Sequence, residues 1–195
     1  MSAIERALMP GIDESRQFVP LKIAVLTVSD TRDIADDKSG ATLVDRIGAA
    51  GHVVADRAIV RDEVRAIRHR VKAWIANKSI DVVITTGGTG FTGRDVTPEA
   101  IEPLFEKKMD GFATMFVLVS EKKIGTSAIQ TRATAGVANA TYIFCLPGSP
   151  GACKDAWDQI LVHQLDYRYR PCNFVEILPR LDEHLRRPKA KGATA

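Results

Sequence analysis

The sequence predicts an α/β protein: a three-layer α/β/α domain around a mainly parallel, doubly wound sheet. Three observations predict it. Short apolar runs at Leu21–Val28, residues 81–86 and Thr141–Leu146 have the length of strands buried on both faces. Segments with helical spacing of apolar residues lie between them, an alternation that gives parallel sheets covered by helices on both sides. The 195 residues, 45% hydrophobic and 26% charged, suit one domain with a sizeable core.

The elements follow in order. Residues 1–19 carry mixed charge, Pro10-Gly11 and little periodicity, and are expected to form an N-terminal arm; the domain proper is placed at 20–178. Leu21–Val28 is the first strand, bounded by Ser29-Asp30. A polar loop through Lys38 leads to a helix near 40–50, marked by Leu43, Val44 and Ile47 and stopped by Gly51. Residues 52–60 read as the second strand. Val64, Ile67, Val71, Trp74 and Ile75 mark a helix over 63–76. Residues 81–86 are the third strand, and Thr97-Pro98 opens a further helix with Pro at its preferred first position. Phe112, Met115, Phe116 and Val119 form a helical stripe, expected in the core or at a subunit contact. Asn139-Ala140 separates two apolar runs, and Pro147-Gly-Ser149-Pro150 introduces a last helix to about Leu165. Residues 179–195, including His184-Leu-Arg-Arg-Pro-Lys-Ala-Lys191, read as a solvated basic tail.

Composition excludes several function classes. A net charge of +3, with acidic and basic residues alternating, lacks the basic stripe and aromatic platforms of a nucleic-acid binder. No apolar run approaches the ~18 residues of a membrane span, and the N-terminus has no signal-peptide core, so a soluble cytoplasmic protein is expected. Cys145, Cys153 and Cys172 have no Cys-x-x-Cys spacing; Cys145 and Cys153 read as buried inert thiols. The four histidines lack zinc spacing.

Chemistry concentrates after the third strand, in Thr85-Thr-Gly-Gly-Thr-Gly-Phe-Thr-Gly-Arg-Asp95. Gly87, Gly88, Gly90 and Gly93 are expected to turn with positive φ and to bring backbone N–H groups close to an anion, ahead of a helix N-terminus. A P-loop is excluded because Arg94-Asp95 stands where the lysine and metal-binding hydroxyl belong. Gly88-x-Gly90-x-x-Gly93 fits a dinucleotide fingerprint, but it follows the third strand and lacks the ribose-binding acid about 20 residues on. In a parallel sheet, ligands gather beyond the carboxyl ends of the strands. Ser29-Asp30, the glycine cluster and Pro147–Ser149 are expected to converge there.

Asp62 and Asp95 leave those same strand ends. Two carboxylates beside a phosphate repel it unless a cation lies between, and magnesium takes carboxylate and phosphate oxygens together. Structural alternatives stand beside this: Asp62 as the N-cap of helix 63–76, Asp95 as a turn residue, Ser149 as a helix N-cap, and Glu99 as a first-turn acid.

Taken together, Val28-Ser-Asp30, Thr85-Thr-Gly-Gly-Thr-Gly90, Arg94-Asp-Val-Thr-Pro-Glu99, Gly136-Val-Ala-Asn139 and Leu146-Pro-Gly-Ser149 resemble the molybdenum cofactor biosynthesis proteins of the MoaB/Mog type. The resemblance spans about residues 19–178. Ala73-Trp-Ile75, Ile124-Gly-Thr-Ser127 and Arg170-Pro-Cys-Asn-Phe174 are most similar to the B-type branch. It implies a molybdopterin-binding fold assembled as a trimer or hexamer. It also implies transfer of AMP from Mg-ATP to the terminal phosphate of molybdopterin, for use by a molybdate-insertion protein. The family's two essential aspartates fall on Asp62 and Asp95, which take catalysis and magnesium. Gly87, Gly88, Gly90 and the Thr89 hydroxyl take phosphate, and Ser29, Asp30, Pro147, Gly148 and Ser149 complete the ligand loops. A catalytically silent molybdopterin-binding or assembly protein and an unrelated doubly wound nucleotide-binding domain are the alternatives.

Overall fold

The computed structural model describes residues 10–186. Six strands form one sheet in the order β3-β2-β4-β7-β6-β5: β2 (Lys22–Val28), β3 (Val53–Val60), β4 (Val82–Thr86), β5 (Lys107–Lys108), β6 (Thr134–Ala138) and β7 (Thr141–Leu146). The strands β3, β2, β4 and β7 run parallel, while β6 and β5 add an antiparallel edge. A two-residue ribbon pairs β1 (Gly11–Ile12) with β8 (Tyr169–Arg170), so part of the expected arm is tied to the far end of the domain.

Side-chain alternation sorts each central strand between two cores. Ile23, Val25, Val82, Ile84, Tyr142, Phe144 and Leu146 meet α1 (Lys38–Ala49), α4 (Asp110–Ile124) and α5 (Pro150–Ala156). The intervening Ala24, Leu26, Val28, Val83, Ile143 and Cys145 meet α2 (Val64–Ala76) and α3 (Thr97–Ile101). Helix α5 continues through a π-helical turn, Trp157–Leu161, and a last turn, Val162–Gln164, close to the expected end.

The strand order explains why the helices divide between the faces. The step from β2 to β3 moves one way along the sheet, and the step from β3 to β4 passes back over β2. Right-handed crossovers therefore place α1 and α2 on opposite faces. Between β2 and β4 the winding reverses, which opens a crevice beyond their carboxyl ends. The three-layer prediction holds in this form, with a mixed, mostly parallel sheet.

Other expectations divide. Asn139 and Ala140 form the β6–β7 turn with φ of 48° and 63°, the left-handed geometry of a tight hairpin. Phe112, Phe116 and Val119 are buried in the core, but Met115 is about half exposed, at 49%. After α6 (Phe174–Ile177), Leu178 and Leu181 pack on the core, and α7 (Glu183–Arg186) is the last described element. The remainder of the arm, residues 1–9, and of the tail, residues 187–195, lie outside the described residues.

Candidate functional site

Three loops meet beyond the carboxyl ends of β2, β4 and β7. The junction is tight: the Gly87 N–H donates to Leu146 O at 3.0 Å, and Thr86 Oγ1 donates to Pro147 O at 2.9 Å. A Cβ on Gly87, whose φ is +104°, would stand 2.2 Å from Val28 O, so only glycine fits there. Gly88 also has positive φ, at +63°; Gly90 and Gly93 do not, contrary to expectation. Gly90 is needed for space instead. A Cβ on it would lie 2.8 Å from Asp95 Oδ2, and one on Gly88 would lie 2.9 Å from Asp62 Oδ1. Each glycine makes room for one of the two carboxylates.

The loops enclose a cavity of about 610 Å³. Gly88, Thr89, Gly90, Asp95, Pro147, Gly148 and Ser149 line it, with Phe116, Ile124 and Ala128 on the apolar side and Ser120, Ser127 and Gln130 as polar additions. Among the described residues that line it, Arg32 is the one cation and Asp95 the one anion. Ser29, Asp30, Asp62 and Gly87 lie outside this lining. Their roles in the geometry differ. Ser29 Oγ accepts the N–H groups of Thr31 and Arg32 at 3.3 and 3.2 Å, shaping the β2–α1 loop. The Gly87 N–H is engaged by Leu146 and is not open to a ligand.

Asp30 ties two loops together. Its Oδ1 accepts the Asp62 N–H at 3.2 Å, and its Oδ2 accepts Arg94 Nε at 3.0 Å. Asp62 is not the cap of α2: Glu63 occupies that position, and no side chain caps the helix. Its carboxyl is pushed above the usual carboxylate range, first by burial and then by the charges of Asp30 and Asp95. Asp95 behaves oppositely. Its Oδ2 accepts Thr92 Oγ1 at 2.6 Å and the Thr92 N–H at 2.9 Å, and these bonds hold its carboxyl below the usual range. Asp95 is thus a turn residue as well as a cavity residue. Ser149 is likewise both, since its Oγ accepts the Ala152 N–H at 3.2 Å as the N-cap of α5.

Two functional candidates escaped the sequence reading. Arg32, in the polar stretch after Asp30, reaches Gly148 O at 3.2 Å and carries positive charge to the cavity. Arg132, just before β6, grips the glycine loop from behind. Neither sits in a spacing that marks it, because both meet the loop through tertiary contacts. Cys145 and Cys153 are fully buried, and burial pushes their thiols up to about 12 and about 11, so both are inert. Cys172 is exposed.

The fold and its glycine-loop cavity define a domain of the molybdopterin-binding class; residues 24–167 match the family described as "Probable molybdopterin binding domain". Molybdenum cofactor biosynthesis protein B of Escherichia coli (strain K12) is 52% identical over 160 residues, covering 82% of this chain and 94% of its own. The chain belongs to the molybdenum cofactor biosynthesis protein B family. The Bacillus subtilis (strain 168) protein of that name is 41% identical over 163 residues, covering 82% and 96%. A crystal structure of a molybdenum cofactor biosynthesis protein B superposes with a TM-score of 0.75 at 37% identity, covering 77% of this chain and 94% of the other.

Proposed function

We propose that the protein acts in molybdenum cofactor biosynthesis, binding molybdopterin in the glycine-loop cavity and transferring AMP from ATP to its terminal phosphate. The observation that carries this reading is the pair of carboxylates seated against Gly88 and Gly90, beside a cavity whose one lining cation among the described residues is Arg32. In the reaction an oxygen of the pterin phosphate bonds to the α-phosphorus of ATP, and the bond from that phosphorus to the pyrophosphate oxygen breaks. Little covalent chemistry is asked of the protein; orientation and charge neutralisation are.

The chain's groups fit those tasks. The cavity-facing backbone of Gly88–Gly90 and the Thr89 hydroxyl cradle phosphate, and Arg32 balances its charge. Asp62 and Asp95 orient the reacting groups and are the residues that would hold magnesium. The fit is sound, because a carboxylate raised first by burial and then by two like charges is stabilised by a cation. Among the described residues no cluster of three or more His, Cys, Asp or Glu could hold a metal, which suits an ion completed by substrate oxygens and water. When bound, magnesium supplies neutralisation of the phosphates and polarisation of the phosphoryl group.

The same reading expects a homo-oligomer, trimer or hexamer. Exposed Met115 and Leu118 on α4 provide apolar surface for it. The adenylylated pterin would pass to a molybdate-insertion protein. Among the described residues no helix is long and apolar enough to cross a membrane.

The test mixes purified protein with molybdopterin, ATP and magnesium and follows pyrophosphate and adenylylated pterin. Tight pterin binding without product would sink the transferase reading. It would leave the second one, a silent molybdopterin-binding or assembly protein, which the turn-forming bonds from Thr92 to Asp95 favour.

A further inference from the structure

We propose that Arg132 is the positioning residue of this site, holding the glycine loop shut at its base so that Asp95 and the loop N–H groups keep one geometry. The inference rests on the reading of Asp95 as a group that meets the reacting phosphates. The segment Phe91–Arg94 turns on bonds between Thr92 and Asp95, and Arg132 fastens the backbone on both sides of it. The Arg132 N–H donates to Thr89 O at 3.2 Å, and Nε donates to Gly90 O at 2.8 Å. Nη2 donates to Asp95 O at 2.9 Å. The remaining arm, Nη1, pairs with the Glu99 carboxylate at the start of α3, and the guanidinium carbon lies 5.5 Å from the Phe91 ring centre.

Planarity turns these bonds into a direction. Each peptide holds its C=O and the next N–H on opposite sides. With Thr89 O drawn to Arg132, the Gly90 N–H points away from it, and the Asp95 carboxylate stands against Gly90. The carboxylate is therefore set from two sides: through its backbone by Nη2, and through its oxygens by Thr92. A guanidinium presents these donors in one rigid plane. An ammonium offers a single point charge and cannot reach Gly90 O and Asp95 O in the same way. Arg132 is 24% exposed in its side chain, and all three of its nitrogens are engaged by protein groups, so it acts through the loop and not on the ligand.

The experiment compares Arg132→Lys, Arg132→Ala and Glu99→Gln with the wild type in folding, molybdopterin affinity, adenylyl transfer and amide exchange. Arg132→Lys is expected to melt cooperatively, to exchange faster at residues 89–95 alone, to bind molybdopterin about tenfold more weakly, and to lose about 100-fold in kcat, the scale of a misplaced reacting group. Arg132→Ala should recover turnover with added methylguanidinium and not with methylammonium. Should Arg132→Lys fail to fold, Glu99→Gln, which weakens only the anchor of the guanidinium, is expected to lose about fivefold in kcat. If the wild type itself transfers no AMP, the transferase reading fails alone, and Arg132 is judged on molybdopterin affinity, expected to fall about tenfold in Arg132→Lys. Three results overturn the proposal: unchanged exchange and affinity in Arg132→Lys, kcat within about twofold of wild type, or losses that follow melting temperature and that methylguanidinium does not rescue.

Discussion

Asp62 Oδ1 stands 2.9 Å from the point where Gly88 would carry a Cβ, so the carboxylate occupies space that the glycine leaves. The same Cβ would lie 2.4 Å from Thr97 Oγ1, and the backbone there has φ of +63°. Gly88→Ala is expected to cost about 1–3 kcal/mol from overpacking and left-handed backbone together. It should also displace Asp62 and abolish phosphate binding. Denaturant melts and molybdopterin titration check both.

The two aspartates should separate in their effect on stability. Asp62 has a raised folded-state pKa, so its charge opposes folding: the stability it contributes is full below its unfolded value of 3.8 and is lost as pH rises through the folded pKa. Asp62→Asn is expected to raise the melting temperature at neutral pH and to flatten this acid-side dependence, while turnover falls by at least about 100-fold. Asp95→Asn should abolish turnover comparably but lower stability, since Thr92 loses a charged acceptor. Melting temperatures across pH, beside single-turnover rates, distinguish the pair.

Arg32 predicts selectivity. As the one cation among the described lining residues, it should discriminate phosphorylated from dephosphorylated pterin. Arg32→Ala is expected to weaken molybdopterin binding about 10- to 100-fold, as loss of a charge-assisted bond does, and to leave a dephosphorylated pterin nearly unaffected. Equal losses for both ligands would show Arg32 to be part of the loop framework only.

Asp37 carries a separate structural load. It is 1% exposed; its Oδ2 accepts Arg57 Nη2 at 2.8 Å and Thr27 Oγ1 at 2.7 Å, and its Oδ1 caps α1 through the Gly40 N–H at 2.9 Å. Burial raises its pKa, but Arg57 and the other donors outweigh burial and hold it below 3.8. The stability it contributes is present above that value and is lost as pH falls through the folded pKa. Asp37→Ala is expected to cost about 2–3 kcal/mol, combining a lost cap with buried donors left unpaired. Urea titration at pH 7 and at about pH 2, below the unfolded value of 3.8, would reveal it.

Leu118 is 54% exposed on α4, and Met115 lies one turn earlier. Leu118→Glu should dissociate a homo-oligomer into monomers by placing charge in an apolar contact. Sedimentation velocity reads this directly; an unaltered assembly would place the subunit contact elsewhere.

Much of the fold was legible because each central strand is a run buried on two faces, and α1, α2 and α4 carry apolar residues at helical spacing. The short edge β5 was not, since Lys107-Lys108 has no apolar signal and is a strand only because Val137 and Gly136 lie opposite it. The ribbon of β1 with β8 escaped because its partners are far apart in the chain.

The sequence by itself determined the layered α/β class and the glycine loop after β4, because periodicity and glycine chemistry are local. Tertiary structure alone decided how the loop residues meet. Gly87 closes onto Val28 and Leu146, Gly88 and Gly90 clear space for Asp62 and Asp95, and Asp30 is held by Arg94. Arg32 and Arg132 enter the site only when loops from different strands meet. Close approach and the sharing of donors are relations between segments distant in the chain, and no local pattern encodes them.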